Sequence, residues 1–477
     1  MFFAIIIPST EKSGEEKFMK ENNNTPSFGI KDKIGYLFGD FGNDFTFILS
    51  SSFLLKFYTD VVGVSAYVIG LVMMVARFLD AFTDVTMGRI CDGWRGNHDG
   101  KFKPWIKWMS IPCALASFLI YQNGIASWAP WAKTLWLVVT YLLWGSVFYT
   151  SVNIPYGSMA SAISSKAEDR QSLSTYRTMG STLAGVIIGA GVPLFAYDQV
   201  VVSGENIAVL NGARFTVIAG VFSILAVVCY MLCFYLVRER IKVDTKKTEN
   251  VGTIKVILTA LKNRALISII FASIVMLLSQ MTMQQMSNYV FPDYYGNAGA
   301  QSASTIVMLV GMILSALLSK PLVNRFGKAE VSAVSSFVAG LTCLLLFFIR
   351  PQNVWVYVGL NFASWLGLGI FAMVSWALIT DVIDYSEKKS GIREDATIYS
   401  LYSFARKLGQ GAAAGISGGL LTLIGYNKIP GEALPDSVRE GIFNISTLVP
   451  AIGFIVLALI LAFWYPLRKS EVDAMQK

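Results

Sequence analysis

The sequence predicts an all-α membrane protein with twelve transmembrane helices in two six-helix bundles. Three observations carry this. Charged residues make up only 15% of the 477-residue chain and apolar ones 54%, against about 25% charged in soluble domains. Apolar stretches of about 20 residues, the length a bilayer requires, centre near residues 46, 77, 114, 145, 184, 225, 277, 309, 340, 368, 410 and 454. A long basic segment, from Arg238 to Arg264, parts them six and six.

In chain order, residues 1–30 form a tail expected to be disordered. MFFAIIIPST lacks a basic region and its apolar core is too short for a signal peptide, and Met19 is an alternative start. Residues 31–237 form the first bundle, 238–263 a central loop, 264–470 the second bundle and 471–477 a short tail. Loop charges orient the helices. One set of loops carries Arg89, Arg95, Lys101, Lys103 and Lys107, then Lys166 and Arg170, the central loop, and Lys320, Arg325, Lys328, Lys388, Lys389 and Arg393. The opposite set holds little beyond Lys133, Arg350, Lys428 and Arg439. Positive charge stays inside, so both termini are expected in the cytoplasm and the protein in the cell membrane. GRICDGWRGNHDGKFK after helix 2 is echoed by KPLVNRFGK after helix 8. That is the parallel repeat of major facilitator carriers, whose substrate sits between the halves near the midplane.

Composition also excludes functions. No GxxxxGK[ST] phosphate loop, hydrolase or haem pattern occurs, so the protein reads as no enzyme and without a cofactor. A His-ligated metal site is excluded by the single histidine, His98, and the five cysteines show no zinc or disulfide spacing. The net charge of +8 belongs to membrane loops, not to a nucleic-acid footprint. The partners implied are a small solute, a monovalent cation and the bilayer; nothing calls for an oligomer, and the chain is expected to act as a monomer.

Charges inside the helices are the candidate site, because a carboxylate at the bilayer centre costs roughly 2.5–3.5 kcal/mol. They are Asp44 in helix 1, Arg77, Asp80 and Asp84 in helix 2, Arg177 in helix 5, and Arg406 and Lys407 in helix 11. Asp80 and Asp84 share a face by i,i+4 spacing. Ionised and about 6 Å apart, they repel by roughly 3 kcal/mol at an effective dielectric of ~20. An empty pair therefore holds a proton or attracts a hard cation such as Na+, with Thr83 and Thr150 as further oxygen donors. Counting ~1.5 Å per residue puts Asp80, Thr150 and Arg177 in one layer, and Asp44 and Lys407 about halfway across. The bland alternatives are a hydrated Asp84, an Arg77–Asp80 pair and a structural Asp44–Lys407 bridge. Arg406 is expected to reach the vestibule or another helix. Among aromatic residues that could stack on a sugar, Tyr149, Tyr156, Trp376 and Tyr399, Trp376 is the best placed. Charges in SSKAEDRQ and SEKKSGIRED, Arg393 among them, are candidates for an inner gate or simply solvated loops.

GYLFGDFGNDF, FYTDVVGVS, DAFTDVTMGRICD followed by GKFKPW, NIPYG, and DVIDYSEKKSGIREDA resemble the glycoside–pentoside–hexuronide:cation symporters, the melibiose-permease-like branch of the major facilitator superfamily. The resemblance implies a coupling cation (Na+, Li+ or H+) at Asp80, Asp84 and Thr150, and a sugar held by Asp44, Asn153, Arg177 and Lys407. Thr83 stands where the melibiose carriers often have Asn, which leaves the cation open. Asn153 stands where they have an acid, which is more similar to glucuronide and xyloside carriers. The function implied is sugar uptake by Na+ or H+ symport. The alternatives are a cation-coupled carrier of an amphipathic lipid-like substrate and a non-transporting sensor.

Overall fold

The computed structural model describes residues 27–202, 205–241, 263–390, 395–429 and 432–476. Twelve long helices stand among the described residues, at the expected places. They are α1 (Ile30–Val62), α2 (Ala66–Gly93), α3 (Lys103–Ile120), α4 (Pro130–Ile163), α5 (Ala167–Ala196) and α6 (Gly212–Leu236) in the first half. The second half holds α7 (Arg264–Tyr294), α8 (Ala298–Phe326), α9 (Lys328–Ile349), α10 (Val354–Ser390), α11 (Asp395–Leu423) and α12 (Asp436–Trp464). A short α13, Lys469–Gln476, closes the chain. Residues 1–26 of the expected disordered tail, most of the central loop, and Arg393 lie outside the described residues, as does the side chain of Tyr399; the last residue of that tail, Ile30, instead opens α1.

Ten of the twelve are apolar enough to qualify as membrane spans by themselves. The other two, α2 and α11, carry Arg77, Asp80 and Asp84, and Arg406 and Lys407. They pack on each other across the two halves. Small residues allow the approach: a side chain on Gly70 would meet the Ala414 carbonyl at 2.7 Å, and one on Gly418 would run into that of Ala66. Glycine seams of this kind let membrane helices close to backbone contact.

Below, "inner" means the end with both described termini and the basic loops, and "outer" its opposite. The apolar core is asymmetric about the midplane. One buried cluster joins the first half to Tyr289, Phe291, Leu421 and Phe443 from the outer ends of α7, α11 and α12. A second, including Leu266, Ile269, Leu378 and Val382, stays within the second half. The halves therefore share a core only outside.

Helix ends and breaks follow local chemistry. The Asn263 and Asn297 side chains accept amide hydrogens of the first turns of α7 and α8, the standard N-cap arrangement. Wider π turns end α1 at Tyr58–Val62 and α7 at Val290–Tyr294, and one interrupts α4 at Leu143–Tyr149. Such turns recur at functional sites, and here they carry Asp60, Ser146 and Asp293. A hairpin that sequence reasoning passed over, Tyr197–Val202 with Glu205–Leu210, links α5 to α6.

Candidate functional site

The i,i+4 carboxylates of α2 meet an i,i+4 hydroxyl pair of α4. Ser146 Oγ donates to Asp80 Oδ1 at 2.7 Å, and Thr150 Oγ1 to Asp84 Oδ1 at 3.1 Å. The other oxygens face cations. Arg77 Nη1 lies 3.1 Å from Asp80 Oδ2, and Lys407 Nζ from α11 contacts Asp84 Oδ2. Asp80, Asp84 and Thr150 are thus together as expected. The Thr83 hydroxyl instead donates to the Asp80 carbonyl at 3.2 Å, the local bond a helical threonine makes when no better acceptor is in reach.

Asp80, Thr150 and Arg177, expected in one layer, each take a different partner. Thr150 sits one turn further in, on Asp84, and Ser146 takes the place beside Asp80. The π turn just before Thr150 shifts the α4 register, which straight-helix counting ignores. Arg177 goes elsewhere: its Nε donates to Asp40 Oδ1 at 2.9 Å, and its guanidinium lies 5.4 Å from the Tyr156 ring.

The other sugar candidates fall around α1. Asp44 is buried one turn beyond Asp40. Asn153 Oδ1 accepts from Asn43 Nδ2 at 3.4 Å, and Asn43 Oδ1 accepts from the Tyr230 hydroxyl at 2.9 Å, so a chain of three side chains sets the Asn153 amide. Tyr156 stacks on Tyr36 with centroids 4.5 Å apart. Trp376 lies on α10 against Tyr402 of α11, and Arg406 stacks over it at 5.5 Å. Arg406 thus reaches another helix, one of the two expectations for it.

Sequence reasoning missed Asp40, Asn43 and Ser146. Asp40 lies four residues before Asp44, and Ser146 four before Thr150; the spacing that exposed the helix-2 pair was there to be read on α1 and α4.

It also missed a second charged cluster, at the outer end. Lys56 is wholly buried and contacts Asp293 of α7, while Asp60 Oδ2 lies 2.8 Å from its ammonium. Lys428, read from sequence as a loop charge, reaches Asp293 Oδ1 at 2.7 Å. The Tyr426 hydroxyl sits 2.9 Å from Lys56 Nζ, 2.8 Å from Asp60 Oδ1 and 2.9 Å from Asp293 Oδ2. Two ammoniums and two carboxylates are neutralised within one dry cluster that spans both halves. Burial opposes the charge on Lys428, but Asp293 and Asp60 outweigh it and hold its ammonium above the usual lysine range. Asp60 and Asp293 stand in equivalent π turns, each ending the first helix of its half.

The oxygen donors at α2 and α4, two carboxylates, two hydroxyls and the Gly145 carbonyl 3.1 Å from Thr150 Oγ1, are hard ligands that suit Na+ or a proton. Among the described residues no group of three or more Asp, Glu, His or Cys side chains could hold a metal ion.

Residues 35–469 match the family described as MFS/sugar transport protein. An uncharacterized symporter of Bacillus subtilis (strain 168) is 33% identical over 93% of each chain. A glucuronide carrier protein homolog of Escherichia coli (strain K12) is 30% identical over 92% of this chain and 93% of its own length. Among solved structures, a D-xylose–proton symporter superposes with a TM-score of 0.61 at 14% identity, over 92% of this chain and 97% of that one, which speaks for the fold alone.

Proposed function

The chain belongs to the MFS/sugar transport protein family and is a multi-pass membrane carrier, and from that premise we propose that it takes up a glycoside, such as a glucuronide or a xylose-containing disaccharide, by symport with Na+ or H+. The observation that carries the reading is the tethered ammonium on the ion site: Lys407 of one half occupies an oxygen of Asp84 in the other. The relatives named as a symporter and a glucuronide carrier homolog support the same reading.

In this mechanism the coupling ion enters between α2 and α4, held by Asp80, Asp84 and Thr150 with Ser146 beside them. It competes with Lys407 for Asp84. The displaced ammonium turns toward the sugar, which Asp44, Asn153 and Arg177 contact from the first half and Trp376 from the second. A planar guanidinium offers paired donors to adjacent hydroxyls, and the indole takes an apolar sugar face. Because ion and sugar both draw on Lys407, each raises the affinity for the other, and linkage makes that mutual. The halves then rock about the loaded site. The protein sits in the cell membrane with cytoplasmic termini, as the basic loops require, and works as a monomer, since one chain supplies both halves.

The test is uptake of a glycoside panel into vesicles with Na+, Li+ and pH gradients imposed separately. Accumulation driven by one of these gradients supports the proposal; equal uptake with and without every gradient contradicts it.

A further inference from the structure

The inner ends of α3 and α6 carry positive charge that the transport site does not use. Lys103 and Lys107 stand one turn apart on α3, and both ammoniums lie over the same ring, Phe234 of α6, at 4.9 Å and 5.0 Å from its centroid. Two acids act on Lys103 from nearby, Glu239 and Asp99, and neither forms an ion pair with it among the described residues. Glu239 is spent on backbone: its carboxylate accepts from the amides of Lys101, Phe102 and Lys103 at 2.7, 2.8 and 2.7 Å. Asp99 faces His98 at 3.3 Å. Arg238, exposed just past the end of α6, adds a third cation to the field at Lys103. A cation over an aromatic ring at an exposed site gains only about 0.5–1 kcal/mol, so both lysines stay open to an anion.

The face that bears them looks into the bilayer. Lys103, Lys107, Ile111 and Leu115 recur every four residues and so share one side of α3. Ile111 is 63% and Leu115 54% exposed, within a span apolar enough to cross the membrane. Tyr235 of α6, whose ring meets that of Phe234 at 5.2 Å, is exposed as well. Trp94, Trp105 and Trp108 cluster at this same end, with centroids 5.5 to 5.9 Å apart, and tryptophans gather at the level of the head groups. From the inner rim toward the midplane the strip therefore reads two ammoniums, then two aliphatic side chains. A free phosphate would satisfy only the first part. A phospholipid satisfies both, and one whose head group brings an ammonium of its own would be repelled by Arg238.

We propose that this strip binds an anionic phospholipid of the inner leaflet, with its phosphate between Lys103 and Lys107 and an acyl chain along Ile111 and Leu115. Basic pockets between helix ends on the cytoplasmic side suit such head groups. The lipid ties α3 to α6 where both leave the membrane, whichever solute the protein carries.

The test is titration of the purified, detergent-solubilised protein with phosphatidylglycerol and with phosphatidylcholine, the bound lipid being counted by native mass spectrometry. Phosphatidylglycerol should bind the natural chain more tightly; equal affinities overturn the proposal. Lys103→Gln/Lys107→Gln should weaken phosphatidylglycerol roughly 30-fold, the worth of two lysines at a charged bilayer surface. A loss below fivefold overturns the site. Lys320→Gln/Arg325→Gln, which removes two exposed cations from the inner end of α8, should lose less than the α3 variant; an equal or larger loss shows unspecific attraction and overturns it too. Inorganic phosphate should leave the lipid bound, and its displacement by phosphate assigns the lysines to a free anion instead. If the double variant does not fold, Lys107→Gln alone decides: a loss of threefold or more supports the site, and a smaller one overturns it.

Discussion

Both ends of the interface between the halves carry an ionic bridge, and the two are built differently. Outside, the Lys56 and Asp293 side chains are 0% exposed and locked among Asp60, Tyr426 and Lys428. Inside, Lys407 and Asp84 form a single pair that is 30% and 21% exposed. A dry, neutralised cluster breaks at high cost, because removing one member strands the rest without solvation. A pair that water reaches is weaker and exchangeable. The apolar core repeats the contrast, being shared between the halves only at the outer end. One bridge is suited to sealing and the other to yielding its place to an ion.

Breaking the dry end should have the largest effect. Asp293→Asn leaves two buried ammoniums facing Asp60 alone, a cost of about 3–5 kcal/mol. Uptake should fall to background, and thermal unfolding should shift downward. The balanced double variant Lys56→Met/Asp60→Asn keeps the Lys428–Asp293 pair and should retain more uptake than Asp293→Asn. If it does worse, neutrality is not what holds that end.

Next in size is the ion site itself. Asp80→Cys should abolish ion-stimulated uptake, whereas Asp44→Cys should chiefly abolish sugar binding. Gradient stimulation in Asp80→Cys equal to that of the natural chain would contradict the assignment. Smaller still is Ser146→Ala. It removes one hydrogen bond to a carboxylate, worth about 1.5–3 kcal/mol, so ion affinity measured by titration should fall roughly 10- to 100-fold while Vmax holds.

The smallest expected effect is that of pH on the outer bridge. With the folded value of Lys428 raised, its stabilisation is fully present below the ordinary lysine value of about 10.4. It is lost only as pH rises through the raised value. The difference in unfolding temperature between the natural chain and Lys428→Met should therefore be flat from about pH 5 to 9; a step in that range would show that Lys428 titrates there.

How much of this could be read from sequence depended on whether spacing along one helix was enough. The twelve spans were legible because the bilayer fixes their length and composition. Asp80 with Asp84 was legible because two carboxylates a turn apart stand out in an apolar run, even beside the bland alternatives of a hydrated Asp84 and an Arg77–Asp80 pair, the second of which does form. Asp40 and Ser146 obey the same four-residue rule, but Asp40 sits beside Gly39, Gly42 and Asn43, where a further polar side chain stands out less, and a serine such as Ser146 is an ordinary residue in a membrane helix. The outer cluster was not legible at all. Lys56 and Asp60 lie near a helix end, where charges are ordinarily hydrated, and Lys428 lies in a loop. Only the folding of α7 and the α11–α12 connection over them makes that place dry. Asp40 as the partner of Arg177 and Ser146 as that of Asp80 were not read, because depth along straight helices says nothing about rotation or about a π turn.

The most direct measurement is coupling-ion affinity in Lys407→Gln, by titration of the purified protein with Na+ or H+, whichever drives uptake. If the ion and the Lys407 ammonium compete for Asp84, the variant should bind the ion more tightly than the natural chain while its sugar affinity falls. Ion affinity that is unchanged or weaker in Lys407→Gln would contradict the exchange on which the account depends.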